Sequence, residues 1–377
     1  MKIGLNLLYL IPGIVGGTET YARGVVQGLS GLDAPDEFFI FLNRDAADWT
    51  IPDKGNFHKV ICDTGASNQG ARYLYEQTTL PRLARQYHLD VLHSLGYTSP
   101  LRTPCKSIVT IHDLNFISFG SKMPLLRRLG LGSFVRLGAW ATDHVIAVSE
   151  FSREEIQRYL RVPNGKVTVI HEAPHPSREP YEGENNNKPL LRFQIAQPYW
   201  IAFSSISPNK NIPNLLRALS IVRRQYGLQS QLVLIGHRPP HGEIATVLDD
   251  NDKGIVFTGY INDGDVLTIL SGAQMMIFPS LYEGFGLPVV EAMALGVPVT
   301  CSTAASLPEI AGRAALFFDP NSPDDIAEKI AKLAGNTEEQ ELMRRRGFEN
   351  IKRFSWSKAA RETMQVYQKV IGEHSLN

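Results

Sequence analysis

Cysteine is scarce in this sequence: three residues, Cys62, Cys105 and Cys301, far apart and odd in number. No disulfide framework and no Cys-x-x-Cys metal spacing can be built from them, and a reducing, cytoplasmic setting is the simplest reading. Net charge is absent, since 38 Lys and Arg balance 38 Asp and Glu. A global electrostatic grip on nucleic acid is therefore not expected, and any anion site must be local. No run of about 18 apolar residues occurs, so no membrane span is expected. The opening MKIGLNLLYLIPGIVGG has an apolar run too short for a signal peptide, with glycines in place of a cleavage site. It reads as a buried strand entering a glycine turn. Short repeats and heptad runs are missing. No G-x-G-x-x-G follows the first strand, which argues against a dinucleotide-dependent oxidoreductase.

What is present is ordinary globular composition, 43% hydrophobic and 20% charged, over 377 residues. That length suits two domains of roughly 150–200 residues. Short apolar runs alternate with amphipathic stretches. In the first half the expected strands are Lys2–Leu8, Glu37–Leu42, Lys59–Cys62, Val91–Leu95, Ser107–Ile111, His144–Val148 and Lys166–Ile170, with helices such as Thr18–Leu29, Tyr73–Tyr87 and Arg153–Leu160 between them. Residues 174–189 (PHPSREPYEGENNNKP) lack any apolar period and read as an exposed linker. The alternation then restarts with strands at Trp200–Ser205, Gln231–Ile235, Ile255–Thr258, Met275–Phe278, Val297–Cys301 and Ala315–Phe318. Helices are expected at Ile212–Tyr226, Asp265–Ser271, Val289–Leu295 and Asp324–Leu333, and Ser355–Gly372 closes the chain as a long helix. Strand–helix alternation predicts an α/β fold with parallel sheets, ligands binding at the carboxyl ends of the strands in a cleft between two similar halves.

The richest segment is Phe278–Pro298, FPSLYEGFGLPVVEAMALGVP. A strand ends at Phe278, a glycine loop follows, and Pro288 sits where a first-turn proline is tolerated. Glycines let backbone amides approach a ligand, and a helix N-terminus offers unpaired N–H groups and a positive dipole end. Glu283 in the loop and Glu291 one turn into the helix are acceptors for ribose and sugar hydroxyls. A second candidate is Ser204–Asn211 (SSISPNKN), where Lys210 precedes a helix starting near Pro213 and can reach a diphosphate as a point charge. A third is the Gly16–Gly17 pair between strand and helix, with Thr18 as N-cap; it either cradles phosphate or is an ordinary turn. A fourth is His112, at a strand's carboxyl end, suited to a sugar hydroxyl or to orienting an acceptor. Asp263-Gly264-Asp265 spells D-x-D, but is read as capping the following helix, and the Asp249–Asp252 cluster likewise; no metal is expected.

Glu283-Gly-Phe-Gly-Leu-Pro-Val-Val-Glu291, followed by Ala-Met-Ala-Leu-Gly-Val-Pro, resembles the E-x7-E signature of the family 4 retaining glycosyltransferases of the GT-B fold. The likeness runs from the N-terminal glycine loop to the last helix. It implies two Rossmann-like domains facing a central cleft. An acceptor domain spans 1–175, with helix 355–377 returning to it, and a nucleotide-sugar domain spans 190–354. It implies that Lys210 binds the diphosphate, that Gly284, Phe285, Gly286 and Leu287 lie against the donor, and that Glu283 contacts the transferred sugar and Glu291 the ribose. His112 would touch the sugar, and the Gly16–Gly17 loop would approach donor or acceptor. Tyr260 and Ile261 resemble the loop holding the nucleotide base, while Ser149 and Glu150 resemble a Val-Ser motif on the acceptor side. The sequence departs from the family where an arginine often precedes the lysine: Ser204 and Ser205 stand there.

The function so implied is hexosyl transfer from a nucleotide sugar, UDP-glucose for preference and GDP-mannose next, to a glycan or lipid-linked acceptor in exopolysaccharide or cell-surface glycan assembly. Neither a cofactor nor a metal is required. Lys122–Arg136 (KMPLLRRLGLGSFVR) joins basic residues to leucines without an acid, which suits either a sheet-covering helix or peripheral contact with an anionic membrane. A sugar-nucleotide epimerase or a non-catalytic nucleotide-sugar-binding protein of the same fold is the competing class.

Overall fold

The structure, a computed structural model, describes residues 1–118, 125–175, 187–239 and 254–372. The chain divides into two compact units: Met1–Pro176 with Phe354–Asn377, and Ser177–Arg353. The first holds a seven-stranded parallel sheet built from β1 (Lys2–Leu7), β2 (Glu37–Leu42), β3 (Phe57–Ile61), β4 (Val91–Ser94), β5 (Lys106–Ile111), β6 (His144–Ala147) and β7 (Val167–Val169). Its spatial order is β3-β2-β1-β4-β5-β6-β7. The second holds a six-stranded parallel sheet of β8 (Tyr199–Ser204), β9 (Gln231–Gly236), β10 (Ile255–Gly259), β11 (Met275–Phe278), β12 (Val299–Ser302) and β13 (Ala315–Phe318), in the order β10-β9-β8-β11-β12-β13. Each is a doubly wound, Rossmann-like sheet.

Each sheet is apolar on both faces because parallel strands must be covered by helices on both sides. Along β8, Tyr199 and Ile201 enter one apolar cluster with Phe278 and Val289, while Trp200 and Ala202 enter another with Leu215, Leu219 and Ile330. The strand YWIAFS therefore shows no polar alternation. The chain runs outward from β8 through β9 to β10, then jumps back to β11 on β8's other side. The reversal leaves a crevice beyond the carboxyl ends of β8 and β11, where doubly wound sheets bind ligands. In the first sheet the same reversal falls between β1 and β4.

The last helix, Trp356–Ile371, packs in the first unit against the helix Gly17–Ser30. The contact depends on glycine: a Cβ on Gly24 would lie 2.0 Å from Trp356 Cε2, and one on Gly28 would lie 2.4 Å from the Trp356 carbonyl oxygen. Trp356 Nε1 donates to the Pro174 carbonyl at 2.7 Å, and the Tyr367 hydroxyl meets His93 Nδ1 at 2.7 Å. Among the described residues no helix is long and apolar enough to cross a membrane.

Candidate functional site

In the second unit, the loop after β8 and the loop after β11 are stitched together. Asn209 Nδ2 donates to the Tyr282 carbonyl at 3.1 Å, and the Leu281 amide donates to the Asn209 carbonyl at 2.7 Å. Asn211 adopts a left-handed backbone (φ 54°), and its Nδ2 donates to the carbonyls of Pro279 at 3.1 Å and Pro320 at 2.7 Å. This clamp places Lys210 Nζ 2.7 Å from Glu283 Oε1, with the ammonium 5.1 Å over the Phe278 ring. Two groups 73 positions apart thus form a half-buried ion pair at the switch point.

The loop then enters the helix Leu287–Ala294 through Gly286, whose φ of 97° favours glycine. A Cβ there would press on Leu307 Cδ2 at 2.8 Å. Gly284, Phe285 and Leu287 are buried, and Glu291 is partly exposed one turn on. Ser306 Oγ sits 3.0 Å from the Glu283 carbonyl and 2.9 Å from that of Phe285, its single proton serving both. With those carbonyls turned inward, the first-turn amides form the positive end of the helix. After β10, Tyr260 is exposed and Ile261 buried, following Gly259 with φ 68°. Ser205 accepts from the Ser207 amide at 3.1 Å and Ser204 donates to the His237 carbonyl at 2.7 Å, so both serines shape the loop.

In the first unit, His112 follows β5. Its Nδ1 is 2.9 Å from Glu172 Oε1 and its Nε2 is 3.0 Å from the Leu95 carbonyl oxygen. Ser149 caps the helix Glu150–Glu155 by accepting from the Ser152 amide at 3.0 Å, and Ser152 Oγ donates to the His112 carbonyl at 2.9 Å. Glu150 pairs with Arg153. Gly16 is the residue preceding the helix Gly17–Ser30, with φ 59° and open space where a Cβ would stand. Thr18 is therefore not the cap: its Oγ1 donates back to the Val15 carbonyl at 3.1 Å, because the helix starts one residue earlier than the sequence suggests.

Residues 15–178 match the family model described as Glycosyltransferase Family 4, and residues 197–336 match the one described as Glycosyl transferases group 1. The chain belongs to glycosyltransferase family 4. It is a glycosyl-transferring enzyme. An O-antigen chain mannosyltransferase B of Escherichia coli is 29% identical over 288 residues, covering 75% of each chain. An MMP alpha-(1->4)-mannosyltransferase of Mycolicibacterium hassiacum is 34% identical over 257 residues, 66% of this chain and 60% of that one. In fold, a sucrose-phosphate synthase of Thermosynechococcus elongatus superposes with a TM-score of 0.78 at 17% identity, covering 99% of this chain and 100% of that chain. Anabaena HepE in complex with UDP and glucose superposes at 0.72 with 16% identity, covering 98% of this chain and 100% of that chain. The architecture is GT-B, two Rossmann-like α/β units.

Three polar residues of this glycosyltransferase carried no signal in sequence. Glu19 binds the Gly13 amide at 2.7 Å and Arg23 Nη2 at 2.7 Å, so the glycine loop is built around a carboxylate. Glu172 and Ser152 hold the ring and the carbonyl of His112 from 60 and 40 positions away. Partners at such separations leave no local pattern. The D-x-D segment does not cap its helix. Asn262 does, accepting from the Asp265 amide at 2.9 Å, and Asp263 and Asp265 occupy the first turn of Asp263–Ser271. The Asp249–Asp252 cluster and residues 176–186 of the linker lie outside the described residues. So do residues 122–124 of the basic stretch and the side chains of Arg127 and Arg128, although the backbone is helical over Leu125–Ala141.

Proposed function

We propose that this enzyme transfers a mannosyl group from GDP-mannose, with retention of anomeric configuration, to a growing glycan or lipid-linked acceptor in cell-surface polysaccharide assembly. The observation that carries the donor site is the Lys210–Glu283 pair, 2.7 Å apart at the switch point of the second sheet and next to the N-terminus of Leu287–Ala294. A cation and a helix N-terminus suit the diphosphate. A carboxylate beside them suits the hydroxyls of the attached sugar. Mannose rather than glucose follows from the relatives, which are named as mannosyltransferases. The fold neighbours, under 20% identical, speak for the fold and not for a UDP-linked donor.

In this reading Glu291 holds the ribose and the loop at Gly259–Ile261 meets the base. Lys210 and the amides of Phe285–Leu287 take up the charge of the departing diphosphate. The bond from the anomeric carbon to the phosphate oxygen breaks and the bond to the acceptor oxygen forms on the same face. The acceptor's proton passes to the leaving phosphate oxygen. No protein nucleophile and no resident metal is required, because positioning and electrostatic stabilisation carry the rate. The first-unit groups around His112, Ser149 and the Gly16–Gly17 loop are assigned to the acceptor.

The test is a product assay in EDTA with GDP-mannose and UDP-glucose on oligosaccharide and lipid-linked acceptors, with NMR of the new linkage. GDP-mannose alone should support transfer, and Lys210→Ala and Glu283→Gln, shown folded, should each lose about 10²–10³-fold in kcat. Full turnover in both variants would remove this site from the chemistry, and transfer from UDP-glucose alone would overturn the donor.

A further inference from the structure

The ring of His112 makes two hydrogen bonds, and both partners can only accept. One is the Glu172 carboxylate at Nδ1, the other the Leu95 carbonyl at Nε2, at 2.9 and 3.0 Å. A neutral imidazole carries one N–H and can satisfy only one of them; the imidazolium satisfies both. The site is interior: His112 is 7% exposed and Glu172 3%. A lone imidazolium there would be costly, and an adjacent carboxylate removes most of that cost.

We propose that Glu172 is a positioning residue of this transferase. It holds His112 as a buried imidazolium at the carboxyl edge of the first sheet, so that His112 serves the acceptor through a fixed positive charge and not as a base. The inference rests on the transferase reading above. It deepens that reading by changing what His112 can do: with both nitrogens donating, neither is left to accept a proton from a sugar hydroxyl. A cation near the acceptor oxygen favours the oxygen as its proton leaves. Glu172 is not needed merely to hold the backbone in place, because Ser152 Oγ already anchors the His112 carbonyl at 2.9 Å.

The surroundings agree with the charge. Burial alone pulls the pKa of His112 down. The hydrogen bond and charge of Glu172, the Leu95 carbonyl and the charge of Asp113 more than offset it, leaving the pKa above the ordinary 6.5. From β4, His93 faces the same interior and stays neutral: burial first, then the charge of His112, press its pKa down to about 3. Tyr21 lies edge-on to the His112 ring at 4.6 Å and Tyr97 at 6.0 Å, and burial first of all keeps the Tyr21 hydroxyl protonated. Tyr9, which also feels the charge of Glu172, is likewise held neutral, by burial before any charge.

The experiment is an NMR titration of the His112 ring in the ligand-free chain, wild type, Glu172→Gln and Glu172→Asp, beside the pH profile of kcat/KM. The wild-type midpoint should lie above 6.5. In Glu172→Gln it should fall by about one pH unit or more, and Glu172→Asp should restore much of the shift. The alkaline limb of kcat/KM should move down with it, so that Glu172→Gln regains activity on acidification. An unmoved midpoint, or a moved midpoint with an unmoved profile, overturns the proposal. If Glu172→Gln does not fold, the wild-type titration decides: a midpoint at or below 6.5 overturns it. A wild type inactive with every donor overturns the transferase reading and the positioning role with it, while the ring titration still reports on the ion pair.

Discussion

Glu76 is a buried carboxyl group whose neighbours offset its burial only in part. It is 1% exposed, accepts from Thr98 Oγ1 at 2.8 Å, and has Arg72 Nε 3.9 Å away, beyond hydrogen-bonding reach. Burial raises its pKa from 4.5 to about 7, against the pull of Arg72, Thr98 and Asn6. The folded chain therefore keeps this proton where the unfolded chain has lost it. Between pH 4.5 and 7 the folded state binds more protons, so the glutamate's contribution to stability is present below 4.5 and is lost as pH rises, at about 1.4 kcal/mol per unit. Glu76→Gln keeps the shape and cannot ionise. Its stability relative to wild type should rise with pH across that window, read by urea unfolding at half-unit steps. A flat difference would mean that Glu76 is ionised in the fold and paired with Arg72. The same residue marks the limit of sequence reading. Nothing in the stretch Gln69–Gln86 says that Glu76, two turns into the helix, faces Thr98. Lys210 and Glu283 stood out as candidates because each lies in a loop between a strand end and a helix start, and Glu291 because it lies one turn into the second of those helices, whereas Glu172 depends on a partner 60 positions away.

At the scale of elements, strands were the easier reading. All thirteen fall where short apolar runs predict them, shifted by no more than about two residues at either end, because a doubly covered parallel strand has few other ways to dispose of such a run. The helix Thr337–Asn350 was invisible: TEEQELMRRRGFEN has no apolar stripe, and it is held by buried Met343, by Gly347, where a Cβ would lie 3.4 Å from Met293, and by polar contacts such as Gln340 Nε2 to the Leu333 carbonyl at 2.9 Å. A helix anchored by a few scattered and partly polar contacts leaves no apolar periodicity to find. Close approach is also what the first helix encodes. Gly24 and Gly28 are four apart on one face of Gly17–Ser30, and that face is where Trp356 lies. In an isolated helix, Gly24→Ala would gain about 1 kcal/mol. Here the new methyl would sit inside the indole, and overpacking should outweigh the gain, for a net loss of about 1–3 kcal/mol with a changed near-ultraviolet signal from Trp356. A stabilised Gly24→Ala chain would show that the two helices do not pack this closely.

On the scale of the whole molecule, the chain completes seven strands, builds a second unit, and returns at Phe354 to finish the first. The family resemblance implied that the closing helix returns to the first domain, and it does; which residues it covers there shows only in the fold. Phe354, Trp356, Met364, Val366 and Tyr367 are all buried, and Tyr367 reaches His93 in the middle of the sheet. Removing one such aromatic costs about 3–5 kcal/mol, and a domain has about 5–15 kcal/mol in all. A chain ending at Arg353 should therefore lose the first unit as a folded body. The second unit keeps Lys210, Glu283 and Glu291, and its two apolar clusters contain nothing beyond Ile351. Hydrogen exchange on the shortened chain should show protection lost across β1–β7 and kept across β8–β13. GDP should still raise the melting temperature of what remains, since a nucleotide at 100 times its Kd adds about 2.7 kcal/mol to the unit that binds it. Transfer to an acceptor should vanish. Loss of GDP binding along with transfer would mean that the donor site needs residues of the first unit. Retained transfer would mean that the acceptor is held by the second unit alone, and that His112 and Glu172 serve the fold and not the reaction.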